Sequence, residues 1–449
     1  NYSMPQITQE EDFPGGLKAR TAERAVLDKT RYTNPTVRER EWEKIWSRCW
    51  LFAGLVSDIP SAGDYFLYEL GPESVVVLRD EDGSVGAFYN VCQHRGNRIF
   101  SGSPGWVKQV ACPYHGWRYH LDGSLAEVPD ADRFCPAITA QERSLKTVRV
   151  EVWAGLVWLN FDPGAEPLAD YLGPIVSRLE PYRFENMLLA KHQTVALDAN
   201  WKTVRDNFLE QYHVDFIHPQ HAGFVDCCNS INTLWPMGHS ATVVEGFVTN
   251  SRYRVPEEVP EPLRPFLESL GLDPAAFSGR VPEIRAAVQQ RKREVGDLLG
   301  HDYSPLSDAQ LSDVWQYDIF PNTFMTINPE ELWIFGPRPH PTDHEKCFLD
   351  KFTLQIPAET GCDEAKGLSL HPALCVSRDA ERPEHESFTR DDVLAGKHSL
   401  TITIDQDIEY LPDMQAGMRS RGFDRAVLNA DEVRVQHFHD WVDAWCADD

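Results

Sequence analysis

The apolar positions along this chain change their period near residue 165. Before that point short β-branched and aromatic runs recur: "GDYFLYELG" at 63–71, "SVVVLRDEDGSVGAFYNVC" at 74–92 and "VWAGLVWLNFD" at 152–162. Such runs predict strands, and the "EDGS" inside the second predicts a hairpin turn. A small antiparallel β domain over 48–165 follows, and "DPGAEPLADYLGP" at 162–174 reads as a Pro/Gly-punctuated connection out of it. Beyond the connection the spacing of "DANWKTVRDNFLEQYHVDFIHP" at 198–219 predicts a helix that opens near His218, because Pro219 disfavours helical geometry at the residue before it. "WQYDIFPNTFMTI", "ELWIFGPRP" and "CFLDKFTLQI" predict successive strands of a meander, turning at "NPE" and "PTDHE". Ile284, Val288, Val295 and Leu299 form one stripe of a helix over 282–299, opened by Pro282 and closed by Gly300. The Pro-rich stretch at 252–279 predicts a surface excursion near the mouth of a site. The fold class is α+β: the β domain at 48–165, and a helix-and-antiparallel-sheet domain built from 1–47 and 166–449.

Charge removes several classes of function. With 43 Lys+Arg against 69 Asp+Glu the net charge is -26, which repels nucleic acid and anionic membrane surfaces. The opening "NYSMPQITQEEDFPGG" has no basic stretch followed by an apolar one, and no run of about 18 apolar residues occurs, so a cytoplasmic protein is expected. Ten cysteines over 449 residues are too sparse for a disulfide scaffold, and paired Cys/His clusters then read as metal binding.

One such cluster is explicit. Cys92-x-His94 and Cys112-x-x-His115 face each other across a 17-residue loop. A structural zinc site would accept these four ligands. Each loop, however, offers one thiolate and one imidazole, a division that suits two inequivalent irons, two cysteines on one and two histidines on the other. "NVCQHRGN" and "CPYHGWRY" resemble the two cluster loops of Rieske [2Fe–2S] proteins. Where respiratory Rieske proteins carry an extra disulfide-forming cysteine in each loop, this chain has Asn97 and Tyr114. The resemblance places the reduction potential near the low end of the Rieske range, about -150 mV, suited to electrons from NAD(P)H.

A second constellation lies at 207–218. Asn207, Glu210 and His213 are three apart and share a helix face, and a helix opening at His218 lets two imidazoles converge beside a carboxylate. Either histidine alone reads equally well as an interior side chain. Two His and one carboxylate make the facial triad of non-haem Fe(II) oxygenases. A Rieske domain followed by "NFLEQYHVDFIH" resembles the catalytic (alpha) subunit of Rieske non-haem iron aromatic-ring-hydroxylating oxygenases, over nearly the whole chain. The resemblance implies a helix-grip type catalytic domain in which His213 and His218 bind the mononuclear iron. The family's distant third ligand, eight residues before a Gln and ten before a Gly, selects Asp407, followed by Gln415 and Gly417, over its rival Asp405. Asn207 and Glu210 fall on the family's Asn and acid positions. That acid hydrogen-bonds a cluster histidine across a subunit boundary, here His115, and implies a ring of identical subunits, commonly a homotrimer, with or without a small beta subunit. Many relatives carry Asp at the acid position, so Glu210 resembles demethylating and monooxygenating members as much as ring dihydroxylases.

The resemblance implies O2 as oxidant and a ferredoxin or flavin reductase as electron donor, since no G-x-G-x-x-G fingerprint occurs in the chain. The expected substrate is a hydrophobic aromatic or polycyclic compound. The alternatives are demethylation or hydroxylation of a small amine or quaternary ammonium compound, and an electron-transfer Rieske protein with a vestigial second site. Phe208, Leu209, Phe216, Ile217 and Phe224 flank the ligands as pocket walls or as plain core. The "QRKR" at 290–293 reads as a solvated helix face, or else as a dock for an acidic ferredoxin. His437 and His439 are two apart on a C-terminal helix and point to different faces. The adjacent Cys227 and Cys228 suit neither a disulfide nor a metal clamp, His221 follows the ligand pair closely enough to line the pocket, and Trp201 and Lys202 fix a helix start.

Overall fold

A computed structural model describes residues 6–9, 26–297, 300–358 and 375–447. The chain divides into two units, one over Glu39–Leu172 and the other from the parts up to Arg38 and from Gly173.

In the first unit, β1 (Leu51–Leu55) pairs with β6 (Leu156–Asn160) and β6 with β5 (Arg149–Trp153). β2 (Asp64–Leu70), β3 (Glu73–Arg79) and β4 (Val85–Tyr89) form an antiparallel meander. Val75–Leu78 and the whole of β6 are buried, so both faces of these strands are covered and their apolar runs do not alternate. Cys92 and Cys112 belong to the core cluster of this unit, together with Val76, Phe88, Trp117 and Tyr119. The connection out of it is more ordered than its Pro/Gly content predicts: Leu168–Leu172 is helical and buries Leu168, Tyr171 and Leu172.

The second unit is a long sheet clasping helices. From β8 (Val225–Leu234) the order runs through β9 (Ser240–Gly246), β10 (Val314–Ile319), β11 (Thr323–Ile327), β12 (Glu331–Pro339) and β13 (Cys347–Ala358) to β7 (Leu188–Leu197), every pair antiparallel. The predicted meander is therefore present, but the run at 315–327, expected as one strand, is two, β10 and β11, joined by a turn at 320–322. α1 (Trp201–Phe208) is capped by the Asn200 side chain, which accepts from Lys202 N, so Asn200 fixes the helix start expected of Trp201 and Lys202. The buried pair of Arg205 with Asp318 ties α1 to β10, an arrangement whose one-sided loss costs about 3–5 kcal/mol.

Several elements differ from the sequence pattern. The single helix expected through 198–219 is interrupted: α1 stops at Phe208, and α2 is the short turn Val214–Ile217. The Glu210 carboxylate accepts from the backbone N–H of Tyr212 and of His213 and so competes with the helical ladder. Asn207, Glu210 and His213 thus do not share one continuous helix face. His218 takes φ -120°, ψ 56°, the non-helical geometry expected before Pro219. In α3 (Ile284–Val295), Ile284, Val288 and Val295 are buried as predicted, while Leu299 lies outside the described residues. The basic run on α3 is solvated only in part: Gln290 and Arg293 are exposed, but its cations are engaged within the chain. Lys292 is buried against Glu330 with Nζ 2.7 Å from Oε1, Arg291 donates to the Leu270 carbonyl, and Arg293 pairs with Asp308. The stretch at 252–279 folds into short turns burying Val259, Leu263, Leu267, Leu270 and Phe277.

Candidate metal centres

The two cluster loops repeat one backbone turn. Gly96 N donates to the Cys92 carbonyl at 3.0 Å and Gly116 N to the Cys112 carbonyl at 3.1 Å, while Cys92 N and Cys112 N each donate at 2.8 Å to the carbonyl five residues on. Both glycines take left-handed φ, 78° and 72°, which a side chain would strain. The result sets the thiols of Cys92 and Cys112 inward and the imidazoles of His94 and His115 outward, their Nδ1 atoms 3.2 Å apart. The His94 ring stacks on Trp117 with centroids 5.1 Å apart. Two sheltered sulfurs and two surface-facing imidazoles are the donor set of a Rieske cluster. The Tyr119 hydroxyl accepts from Gln93 N and so has its proton free for Cys92 Sγ, 3.4 Å away. A hydrogen bond to a cluster sulfur favours the reduced state. Tyr119→Phe is accordingly expected to lower the potential by about 60 mV, the equivalent of ~1.4 kcal/mol for a one-electron couple, as read by spectroelectrochemical titration.

In the second unit, His213 Nε2 lies 3.3 Å and His218 Nε2 3.0 Å from the same Asp407 oxygen, Oδ1. Asp407 is carried by α4 (Ile402–Met418). Gln415, further along α4, accepts from Asn200 N and Thr203 Oγ1, each at 2.9 Å, and so clamps α4 to the start of α1. Among the described residues, His213, His218 and Asp407 are the His/Cys/Asp/Glu group whose potential ligand atoms gather within 4.8 Å. The rival Asp405 accepts instead from Ser399 Oγ and Leu400 N. Each imidazole is anchored through its far nitrogen, His213 Nδ1 to Glu210 Oε1 at 2.5 Å and His218 Nδ1 to Gln406 Oε1 at 2.8 Å. That anchoring turns both Nε2 atoms toward Asp407, as metal-ligating histidines require. Burial alone would lower the His213 pKa, but hydrogen bonds to Asp407 and Glu210 raise it to about 10. The pocket therefore favours positive charge at the triad, and two imidazoles with one carboxylate fit a divalent iron.

The triad opens on a cavity of about 260 Å³. Phe208 and Phe224 line it as expected, and so does His221, which burial drives to a pKa of about 4 and hence to the neutral form. Leu209, Phe216 and Ile217 do not: Leu209 is core, and Phe216 is 69% exposed. No residue of 252–279 lines the cavity, so the excursion expected at its mouth takes no part in the wall. Cys227, set aside on sequence, does line it, with burial holding its thiol well above the usual range. His437 and His439 point apart, His437 to the carbonyls of Trp235 and His239 and His439 to Asp206. The sequence reading missed the sheet wall opposite the helices, including Glu331, Trp333 and Phe335 of β12. Its signal was the i, i+2 spacing within a predicted strand, which puts the three on one face. Among the described residues the lining includes the carboxylates Glu210, Glu331 and Asp407, and no Lys or Arg. Lys351, one strand over, is outside it, with Nζ 4.7 Å from the Trp333 ring centroid and donating to Thr353 Oγ1.

Among the described residues no helix is long and apolar enough to cross a membrane. The chain is 33% identical over 229 residues to the carnitine monooxygenase oxygenase subunit of Acinetobacter pittii, covering 50% of this chain and 60% of that protein. It is 38% identical over 194 residues to the large oxygenase component of the 2,4-dinitrotoluene dioxygenase system of a Burkholderia species, covering 42% and 43%. It thus spans less than two thirds of the length of either relative. A quaternary ammonium Rieske monooxygenase solved with L-carnitine shares the fold, with a TM-score of 0.65 at 21% identity over 94% of this chain and 96% of that one. Residues 49–149 match the Rieske [2Fe-2S] domain and residues 184–448 the catalytic domain of the ring hydroxylating alpha subunit. The chain belongs to the Rieske oxygenase alpha-subunit family.

Proposed function

We propose that this chain is the oxygenase component of a Rieske monooxygenase acting on a small quaternary ammonium compound. In this reading Cys92, Cys112, His94 and His115 hold the cluster, and His213, His218 and Asp407 hold the mononuclear iron. Electrons come from NAD(P)H through a separate ferredoxin or flavin reductase. A head-to-tail ring of identical chains, in which the cluster of one serves the iron of the next, belongs to the same reading.

The observation that carries it is the cavity lining: aromatic rings of Phe208, Phe224, Trp333 and Phe335 beside Glu331, with no Lys or Arg among the described residues that line it. Aromatic faces give either kind of substrate apolar contact, but the faces together with a carboxylate attract a trimethylammonium group by charge, which a hydrocarbon does not gain. The relatives named for carnitine and glycine betaine support this over the aromatic or polycyclic substrate expected first. The assembled triad supports an oxygenase over an electron-transfer protein with a vestigial second site.

When bound, the iron supplies O2 activation at coordination positions the triad leaves open. The chain's own part is to anchor the two imidazoles through Glu210 and Gln406, to shield the site with apolar walls, and to hold the cationic head among the Phe208, Phe224 and Phe335 rings beside Glu331. Insertion of oxygen into a C–H bond next to nitrogen gives an N–C–OH unit, which breaks at C–N to release a tertiary amine and an aldehyde. Chemically reduced holoenzyme given O2 and a panel of trimethylammonium compounds beside planar aromatics is expected to yield an amine and an aldehyde, identified by mass. Oxygenated aromatics with untouched amines would overturn the proposal.

A further inference from the structure

The wall facing the helices is a polar row crossing three strands. Thr242 of β9 is registered opposite Gln316 of β10, and Gln316 opposite Thr326 of β11. Thr326 is in turn opposite Trp333 of β12. Cross-strand partners share a sheet face, so these four side chains form one line, and all four border the cavity. The Gln316 carbonyl accepts from Arg434 Nη1 at 3.0 Å, which orients its amide.

Three buried polar atoms of cavity residues have no hydrogen-bond partner among the described residues: Thr242 Oγ1, Asn207 Nδ2 and His221 Nδ1. Thr242 is only 2% exposed, and the other nitrogen of His221 is engaged 3.0 Å from Thr403 Oγ1. Buried polar groups are normally paired, so unpaired ones on residues that line a ligand cavity mark where a ligand's own polar atoms belong. A hydroxyl and an amide N–H both satisfy an acceptor oxygen. A carboxylate is the wrong acceptor here, because the nearby cation Lys351 already faces Glu331, and among the described residues the lining holds no Lys or Arg to neutralise a second negative charge.

We propose that the row centred on Thr242 and Gln316 binds an uncharged oxygen of the substrate, a hydroxyl, ether or carbonyl, so that the substrate is a quaternary ammonium compound with a neutral oxygen function and no carboxylate. The ammonium part of this statement rests on the function proposed above; the oxygen part rests on the row.

Calorimetric titration of the oxidised holoenzyme separates the two. Choline is expected to bind at least about tenfold tighter than propyltrimethylammonium, which has a methyl in place of the hydroxyl, and tighter than glycine betaine, its carboxylated counterpart. In Thr242→Val the choline to propyltrimethylammonium ratio falls to about one, and in Thr242→Ser it is kept. Equal binding of the two in the wild-type protein, a ratio that survives Thr242→Val, or a preference for glycine betaine overturns the inference. A parallel titration with 3,3-dimethylbutan-1-ol, choline's uncharged isostere, reads the ammonium part alone. If that alcohol binds as well as choline, the function proposed above fails. The oxygen row is then judged by the alcohol against 2,2-dimethylpentane, where at least a tenfold preference for the alcohol supports it and equal binding overturns it.

Discussion

His213→Ala and Asp407→Ala are each expected to lose the mononuclear iron and more than about 100-fold of substrate oxidation, while acid-labile sulfide and the visible spectrum of the cluster stay at wild-type levels. The geometry makes the losses specific. Both Nε2 atoms aim at a single oxygen of Asp407, so deleting either side leaves two ligands, too few to hold a divalent ion against water. The cluster ligands lie in a different unit of the chain and are set by their own turns. Asp405→Ala is the informative control. Its carboxylate is committed to Ser399 and Leu400, so that variant keeps its iron. Iron retained in Asp407→Ala but lost in Asp405→Ala would reverse the assignment, and full activity in His213→Ala would restore the reading of a pure electron carrier.

Glu210→Gln carries the second large effect. One carboxylate oxygen holds His213 Nδ1, and the other accepts from the backbone N–H of Tyr212 and of His213. An amide can still accept from the imidazole through its oxygen, so iron is expected to stay. Its NH2 end then faces two backbone donors, which it cannot satisfy, and the negative charge beside the His213 ring is gone. A loss of about 10–100-fold in steady-state turnover is expected, the usual range for a residue that orients a metal-bound histidine. The proposed bridge to the cluster of a neighbouring chain adds a distinct signature. Single-turnover oxidation of the cluster by the iron site should slow, while substrate affinity changes less. Normal transfer rates with weakened iron binding would confine Glu210 to anchoring His213 within its own chain.

The two metal centres differ in how far they could be read from sequence. In each cluster loop the cysteine, its histidine and the turn-forming glycine fall within five consecutive residues, so spacing alone carries the site. His213 and His218 are nearly as local, but their carboxylate is 189 residues from His218 in the chain. Only the resemblance to a family selected Asp407. In the structure Asp407 lies against both imidazoles while Asp405 is held by Ser399 and Leu400, and Gln415 ties α4 to Asn200 and Thr203. The interruption of the helix at Glu210 was not legible, because propensity and spacing both favour continuing it. A side chain capturing two backbone amides decides otherwise. Lys292 misled for a related reason: its charge reads as solvated until Glu330, a loop residue far along the chain, is placed against it.

What the sequence by itself determined is whatever is encoded over a few consecutive residues: the cluster loops, the histidine pair opened by Pro219, and the strand and turn punctuation, together with an acidic charge balance. What only the tertiary structure decided is the cavity. Thr242, Gln316, Thr326 and Trp333 come from four strands spread over 92 residues and become neighbours only through sheet register. A shift of one residue in any pairing would turn its side chain to the other face, and hydrogen bonds between distant strands set that pairing.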